Sequence, residues 1–136
     1  MNTVNKELVK KWVEALRSGK YKQGRKALRN KNDEFCCLGV LCDISKKDLG
    51  IDWEPEESGI YVMEKNGGLL PDRVWEYIGR KATTDYKVQI SITNPKLPDF
   101  IAKNYPSGYL YLVTLNDTYG LSFEQIADII EEEFLR

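Results

Sequence analysis

The chain has 136 residues, of which 42% are hydrophobic and 30% are charged, and its formal net charge is -1. The length predicts one globular domain over residues 1–136. No apolar run approaches the roughly 20 residues of a membrane-spanning helix, which excludes an integral membrane protein. The charged N-terminus lacks the apolar centre of a signal peptide, and an odd number of cysteines fits a reducing compartment. We therefore expect a cytoplasmic protein without a membrane partner.

Charge is divided unevenly along the chain. Residues 1–31 carry ten Lys and Arg against two Glu, whereas residues 32–136 carry ten basic and nineteen acidic side chains. Such a division can mark a surface for phosphates or nucleic acid. Alternatively, the two surfaces neutralise each other within the fold or across a homo-oligomer. Both interpretations stay open at this point.

The N-terminal part predicts a helix followed by a loop. Apolar residues at helical spacing predict a helix over 4–18, which Asn2 or Thr3 can cap at its start. The next stretch, 20–34, is polar, contains glycine and is rich in Lys and Arg, which indicates a loop with a short helical turn. We refer to residues 20–34 as the basic loop.

The following segment, FCCLGVLCDISKKDLG, contains all three cysteines of a chain that has no histidine. At about 100° per residue it is apolar on nearly every side, which predicts a buried central helix over 35–48. Gly39 would let another element approach this helix closely. Two adjacent cysteines and one isolated cysteine do not make a zinc site, which needs four ligands. A cysteine nucleophile would lack its usual histidine, so we expect the thiols to be core residues.

The middle of the chain predicts a small antiparallel sheet. Residues 59–71 contain a β-rich run, the turn signal Asn66-Gly67 and a second apolar run, which is the pattern of a hairpin. Residues 86–92 alternate apolar and polar side chains, as a half-buried strand does. Between these segments, a proline in the first turn predicts a short helix over 71–79.

The C-terminal part predicts two helices joined by a tight turn, over 109–117 and 122–134. Ser122 and Gln125 form a capping box at the start of the last helix, which has a regular apolar face. Together, these elements predict a small α+β domain, with a helical core and a small antiparallel sheet or hairpin.

Several motifs resemble one known family. They are ALRSGKYKQGRKALRN, FCCLGVLCDI, LPDRVWEYIG and LNDTYGLSFEQIADIIE, which span both ends of the chain and touch its middle. Together they resemble small phage and prophage proteins of unassigned function. The resemblance implies a phage origin, a location in the host cytoplasm during infection and an accessory role. The same pattern singles out polar residues that core packing does not explain: Tyr21, Gln23, Arg25, Asn116 and Asp117.

We predict that an anionic ligand binds where the basic loop meets the start of the cysteine helix. Arg25 supplies charge, Gly24 lets the backbone approach a phosphate, and the helix N-terminus adds a partial positive charge. Tyr21 or Trp53 can stack on a base. The candidate ligand-binding residues are Tyr21, Gln23, Gly24, Arg25, Cys36, Asp43, Trp53, Asn116 and Asp117.

Several of these residues also have a structural interpretation. A carboxylate inside an apolar helix needs a partner, so Asp43 either faces a ligand or pairs with a basic side chain. The candidate partners are Arg17, Arg25 and Arg29. Asn116 and Asp117, before the last helix, have the alternative role of simple turn and cap residues, because both side chains can satisfy local backbone groups.

These features favour a phage-encoded binding protein that counters host defence. It would sequester a nucleotide-derived signal or occlude a host defence protein, and we expect no metal and no cofactor. A cysteine-dependent transferase or hydrolase is the enzymatic alternative, which the missing histidine disfavours. A helix-turn-helix-like nucleic-acid binder is the other alternative. It is disfavoured because the chain ends in IIEEEFLR, without a basic recognition helix.

Overall fold

Helices dominate the described part of the chain, which covers residues 4–64, 70–79, 83–84 and 87–136 of the computed structural model. The helices are α1 (Lys6–Arg17), α2 (Cys37–Leu49), α3 (Asp72–Ile78), α4 (Asp99–Ala102), α5 (Leu112–Asp117) and α6 (Phe123–Phe134). The strands are β1 (Lys22–Gln23), β2 (Glu34–Phe35), β3 (Glu54–Pro55), β4 (Tyr61–Val62), β5 (Thr83–Thr84), β6 (Lys87–Ser91) and β7 (Tyr109–Tyr111). The predicted α+β class is confirmed.

Three small groups of strands accompany the helices. β5, β6 and β7 form an antiparallel sheet in that order, β3 and β4 form an antiparallel pair, and β1 and β2 form a parallel pair. The backbone of Arg29 bridges to both Phe35 and Tyr61. The Tyr61 N–H donates to the Arg29 carbonyl at 2.9 Å. The basic loop is therefore connected to both two-stranded pairs.

The start of α1 differs from the prediction. The Asn5 side chain accepts a hydrogen bond from the Leu8 N–H at 3.1 Å and caps the helix. The prediction that Asn2 or Thr3 is the cap is wrong, because Asn5 satisfies a free N–H group of the first turn and the helix begins at Lys6.

Pairing between distant segments determines the secondary structure where the local sequence pattern was ambiguous. The predicted helical turn in the basic loop is wrong, because part of the loop forms β1 and pairs with β2. Residues 109–111, predicted as the start of a helix, form β7 against β6. β4 pairs with β3, while the turn Asn66-Gly67 of the predicted hairpin lies outside the described residues. Tertiary contacts thus override local propensity at these positions.

The hydrophobic core lies among α1, α2, α5, α6 and the sheet. Trp12 on α1 is fully buried, and its indole N–H donates to the Cys37 carbonyl at 2.9 Å, which joins α1 to the start of α2. Cys36, Cys37 and Cys42 are all buried, so the expectation that the thiols are core residues is confirmed. None of the described helices combines the length and the apolarity of a bilayer span.

Gly39 marks the place where the basic loop crosses α2. A Cβ atom on this glycine would lie 1.8 Å from the Leu28 carbonyl oxygen. The Cys36 N–H donates to the same oxygen at 3.3 Å. The predicted close approach to Gly39 is confirmed, because the loop backbone lies at a distance that only glycine permits.

This contact predicts a large effect of Gly39→Ala. The new methyl group meets backbone rather than a flexible side chain, so we expect the free energy of unfolding to fall by about 3 kcal/mol or more. Ser45→Ala is the matched control, since Ser45 is also buried in α2 but donates only to the Leu41 carbonyl within its own helix. We expect Ser45→Ala to lower the free energy of unfolding by about 1 kcal/mol or less. Urea denaturation measures both, and equal midpoints would contradict the close approach.

Candidate functional site

Asp43 on α2 lies at the centre of a polar cluster with Tyr21, Trp53 and Lys46, which we call the Asp43 cluster. The Tyr21 hydroxyl donates to Asp43 Oδ2 at 2.6 Å, and the Trp53 indole N–H donates to Oδ1 at 2.8 Å. Lys46 Nζ lies 3.2 Å from Oδ1. Burial alone raises the pKa of the Asp43 carboxyl, but these three partners outweigh it and hold the pKa below its usual value. The carboxylate therefore stays ionised and has partners on both oxygens.

The arginines predicted as partners of Asp43 lie elsewhere. Arg17 forms ion pairs with α6, and Arg29 pairs with Asp33 at 2.6 Å. Arg25 is exposed and forms no ion pair with any residue in the described ranges. The predicted pairing is wrong, because two aromatic donors and a lysine one turn along the same helix already occupy the carboxylate.

Aromatic rings surround the Asp43 cluster. Tyr21 packs edge to face on Phe35 with ring centroids 5.1 Å apart, and Phe35 packs on Trp53 in the same manner at 6.0 Å. The Arg29 guanidinium lies 4.1 Å from the Tyr61 ring centroid. Trp53 is only 9% exposed, so its ring is covered by protein and is not accessible for stacking on a base. Tyr21, at the edge of the group, is half-buried.

Asn116 organises a second group, the Asn116 cluster. Its fully buried side chain accepts from Gln23 Nε2 at 2.8 Å and donates to the Gly24 carbonyl at 2.8 Å. It also donates to Asp117 at 2.7 Å, and Asp117 accepts from the Lys26 N–H at 3.0 Å. These bonds hold the basic loop against the turn between α5 and α6.

The chain itself fills the predicted phosphate position at the start of α2. The Gly24 N–H donates to the Phe35 carbonyl at 2.8 Å, and a Cβ on Gly24 would lie 2.7 Å from Glu34 Cβ. The Cys36 thiol is buried, and burial raises its pKa to about 12. The Leu28 carbonyl also lies against this helix end and accepts from the Cys36 N–H, so the basic loop covers the start of α2.

The nine predicted site residues therefore do not converge on one position. Tyr21, Asp43 and Trp53 belong to the Asp43 cluster, whereas Gln23, Gly24, Asn116 and Asp117 belong to the Asn116 cluster. Cys36 lies in the core, and Arg25 is exposed at the surface.

A cavity of about 360 Å³ adjoins Tyr21, between the C-terminal half of α1 and the side of α2. Its volume lies within the range of small-ligand sites. The side chains that line it include Lys11, Glu14, Ser18, Lys20, Tyr21 and Ile44. Lys11 and Lys20 are exposed, and neither forms an ion pair among the residues that the structure describes.

The lining favours binding over covalent chemistry. It offers two ammonium groups, one carboxylate, hydroxyls and an aromatic ring, whereas burial raises the pKa values of all three thiols and so disfavours thiolate formation. Within the described ranges, no three His, Cys, Asp or Glu side chains converge in a way that could hold a metal ion.

Lys11, Glu14 and Lys20 were not predicted as site residues. One signal for this site was present in the sequence: the helical spacing of three and four residues that places Lys11, Glu14 and Ser18 along one edge of α1. The spacing does not reveal that α2 packs beside that edge and forms another wall of the cavity. Tyr21 is the predicted residue that the structure also places at the cavity.

Comparison with known proteins identifies one family. Residues 4–134 match the family described as Domain of unknown function (DUF8296). No curated protein and no solved structure matches the chain. The family match includes both clusters and the cavity.

The Asn116 cluster predicts different effects for two loop contacts. Asn116→Ala leaves the Gly24 carbonyl without its buried donor, while Gln23 Nε2 keeps its bond to the Leu121 carbonyl. We therefore expect the free energy of unfolding to fall by about 2 kcal/mol. Arg25→Ala removes an exposed side chain, and we expect a change within about 0.5 kcal/mol. Chemical denaturation measures both, and a larger loss from Arg25→Ala would contradict the assignment of the loop anchor to Asn116.

The Tyr21 hydroxyl predicts a pH-dependent difference. Burial, together with the bond to Asp43, raises the pKa of Tyr21 above its usual value. The folded state then retains this proton where the unfolded chain releases it, above a pH of about 10, so stability from this group is lost as pH rises further. Tyr21→Phe should lower the free energy of unfolding by about 1–2 kcal/mol at neutral pH. Above a pH of about 10, the difference in this free energy between the variant and the wild type should be smaller.

Urea unfolding at neutral and alkaline pH tests this expectation. Tyr109→Phe is the control, because Tyr109 is 64% exposed and should change stability little at neutral pH. If the wild type stays more stable than Tyr21→Phe by the same free energy of unfolding through the alkaline range, the Tyr21 hydroxyl is not held as described.

Proposed function

This chain belongs to the DUF8296 family, and we propose that it is a binding protein that sequesters a nucleotide-derived anion in the cavity beside Tyr21. One observation carries the proposal: a cavity of about 360 Å³ combines two lysines free of ion pairs, within the described part of the chain, with an aromatic ring held by a partly buried network. Each part of this lining has a counterpart in the chemistry of a nucleotide.

The lysines supply the attraction for phosphate. Lys11 lies on α1 and Lys20 follows it in the chain, so their ammonium groups approach the cavity from two segments. Lys47, also exposed, lies one turn beyond the cavity residue Ile44 on α2. Lysine binds phosphate as a point charge, and its ammonium groups act over about 8 Å at physiological salt.

Tyr21 supplies a surface for the base. Its hydroxyl is committed to Asp43, and its ring packs edge to face on Phe35, so few conformations are open to it. A ring fixed before binding stacks on a base with little loss of side-chain entropy. Glu14, also in the lining, is an acceptor for ribose hydroxyls or for the amino group of a base.

The resemblance to phage proteins supports a role in infection. We propose that binding lowers the free concentration of a nucleotide-derived signal that host defence produces, which requires affinity and no turnover. The buried thiols argue against the cysteine-dependent alternative. The sequence pI of about 5.6 and the acidic end of α6 argue against binding to a nucleic-acid duplex.

Isothermal titration with cyclic dinucleotides and ADP-ribose derivatives tests the proposal. We expect at least one of these probes to bind with micromolar or tighter affinity. The double variant Lys11→Ala/Lys20→Ala should bind that probe with an affinity about tenfold or more lower, since each lysine contributes a charge-assisted contact. Lys96→Ala is the matched control, because Lys96 is exposed and lies outside the cavity lining.

Two results would contradict this site. Equal affinities of the wild type and the double lysine variant would place binding elsewhere. Failure of every probe to bind, together with binding of a purified host defence protein, would favour the occlusion of a host protein over the sequestration of a signal.

A further inference from the structure

Phe100 is a large apolar side chain that the core does not cover. It lies on α4 and is 53% exposed. Its ring packs edge to face against Tyr119, with centroids 6.4 Å apart, and the Tyr119 hydroxyl lies 3.1 Å from the Tyr105 hydroxyl. The Tyr119 ring thus holds Phe100 at the surface. Burial of the exposed apolar area of Phe100 by a partner would be favourable.

Each residue of this aromatic pair has a basic residue near it. Lys103 is exposed and follows Phe100 by one helical turn. Near Tyr119, a Cβ on Gly120 would lie 2.5 Å from Arg25 Nη2, so the guanidinium lies against the residue after Tyr119. Among the described residues, neither cation takes part in an ion pair. We call Lys103, Phe100, Tyr119 and Arg25 the aromatic–basic stripe.

The acidic groups nearest in the chain form no ion pair with the stripe. Asp117 accepts from Asn116 and from the Lys26 N–H. Asp99 precedes Lys103 by four residues, but among the described residues no ion pair joins their side chains. The stripe therefore offers two cations beside an exposed apolar ring.

The charge of the whole chain favours a short ligand over a long polyanion. The net charge is -1, and the acidic helix α6 begins directly beyond the stripe, with Glu124 exposed in its first turn. A nucleic-acid strand that runs past the stripe would meet this negative charge, whereas a peptide that contacts only the stripe would not.

We propose that the aromatic–basic stripe docks a short acidic segment of a partner protein. A large apolar side chain of that segment covers Phe100, and carboxylates on its two sides pair with Lys103 and Arg25. The planar guanidinium of Arg25 suits a bidentate bond to a carboxylate. None of the stripe residues lines the cavity beside Tyr21, so this surface is independent of the ligand site.

Selection of random displayed peptides on the immobilised full chain tests this proposal. We expect the selected peptides to carry Asp or Glu on both sides of a large apolar residue, and to bind more weakly as the salt concentration rises. Phe100→Ala and Arg25→Glu should each weaken the binding of a labelled selected peptide by about tenfold or more in fluorescence polarisation. Tyr109→Ala should leave it unchanged, because Tyr109 is an aromatic of similar exposure outside the stripe.

Three outcomes would overturn the proposal. The first is the absence of any enriched peptide, or the enrichment of peptides without acidic residues. The second is an equal loss of binding in Tyr109→Ala and Phe100→Ala. The third is tight binding of an oligothymidine probe that Phe100→Ala and Arg25→Glu abolish, which would assign the stripe to single-stranded nucleic acid.

Both exposed positions are expected to tolerate substitution, and equal melting temperatures of the variants verify this.

Discussion

The buried side-chain amide of Asn116 holds the basic loop in place, and the arrangement of the site depends on that loop. The amide donates to the Gly24 carbonyl and accepts from Gln23, so it joins a turn near the C-terminus to a loop near the N-terminus. A fully buried amide without partners would cost about 1–3 kcal/mol. Docking of the loop therefore stabilises the folded state, because it gives the buried Asn116 amide its partners.

Docking of the loop has consequences at both of its ends. In its second half, Leu28 lies across α2 at Gly39, and the thiol of Cys36 is sealed in the core. In its first half, Tyr21 reaches Asp43 and forms one wall of the cavity. The loop thus covers the start of α2 and, at the same time, shapes the cavity beside that helix.

The motifs on which the family resemblance rests contact one another in the structure. Arg17 of the first motif pairs with Asp128 of the last at 2.6 Å, and Gln23 of the first bonds Asn116 of the last. Tyr21 of the first motif bonds Asp43 in the cysteine motif. Polar residues that core packing did not explain in the sequence are therefore explained in large part by contacts between distant segments.

The sequence was most informative where one segment determines the outcome by itself. The helices at both ends, the capping box of Ser122, the buried cysteines and the close approach at Gly39 could all be predicted from local pattern and side-chain size. The partners of Asp43 could not, because three arginines were predicted and no local pattern indicates that the Tyr21 hydroxyl and the Trp53 indole reach the carboxylate. The cavity was missed because its walls come from α1, from α2 and from Tyr21, and no periodicity relates these segments.

Amide hydrogen exchange in the Asn116→Ala variant tests most directly whether this side chain anchors the loop. The reporters are the N–H groups of Gly24 and Cys36, which bond the Phe35 and Leu28 carbonyls. If the account is correct, these amides lose about tenfold more protection than the amides of α1 and α6, since the loop opens before the helical core does. Equal losses throughout the chain, or unchanged protection in the loop, would contradict the central role of Asn116.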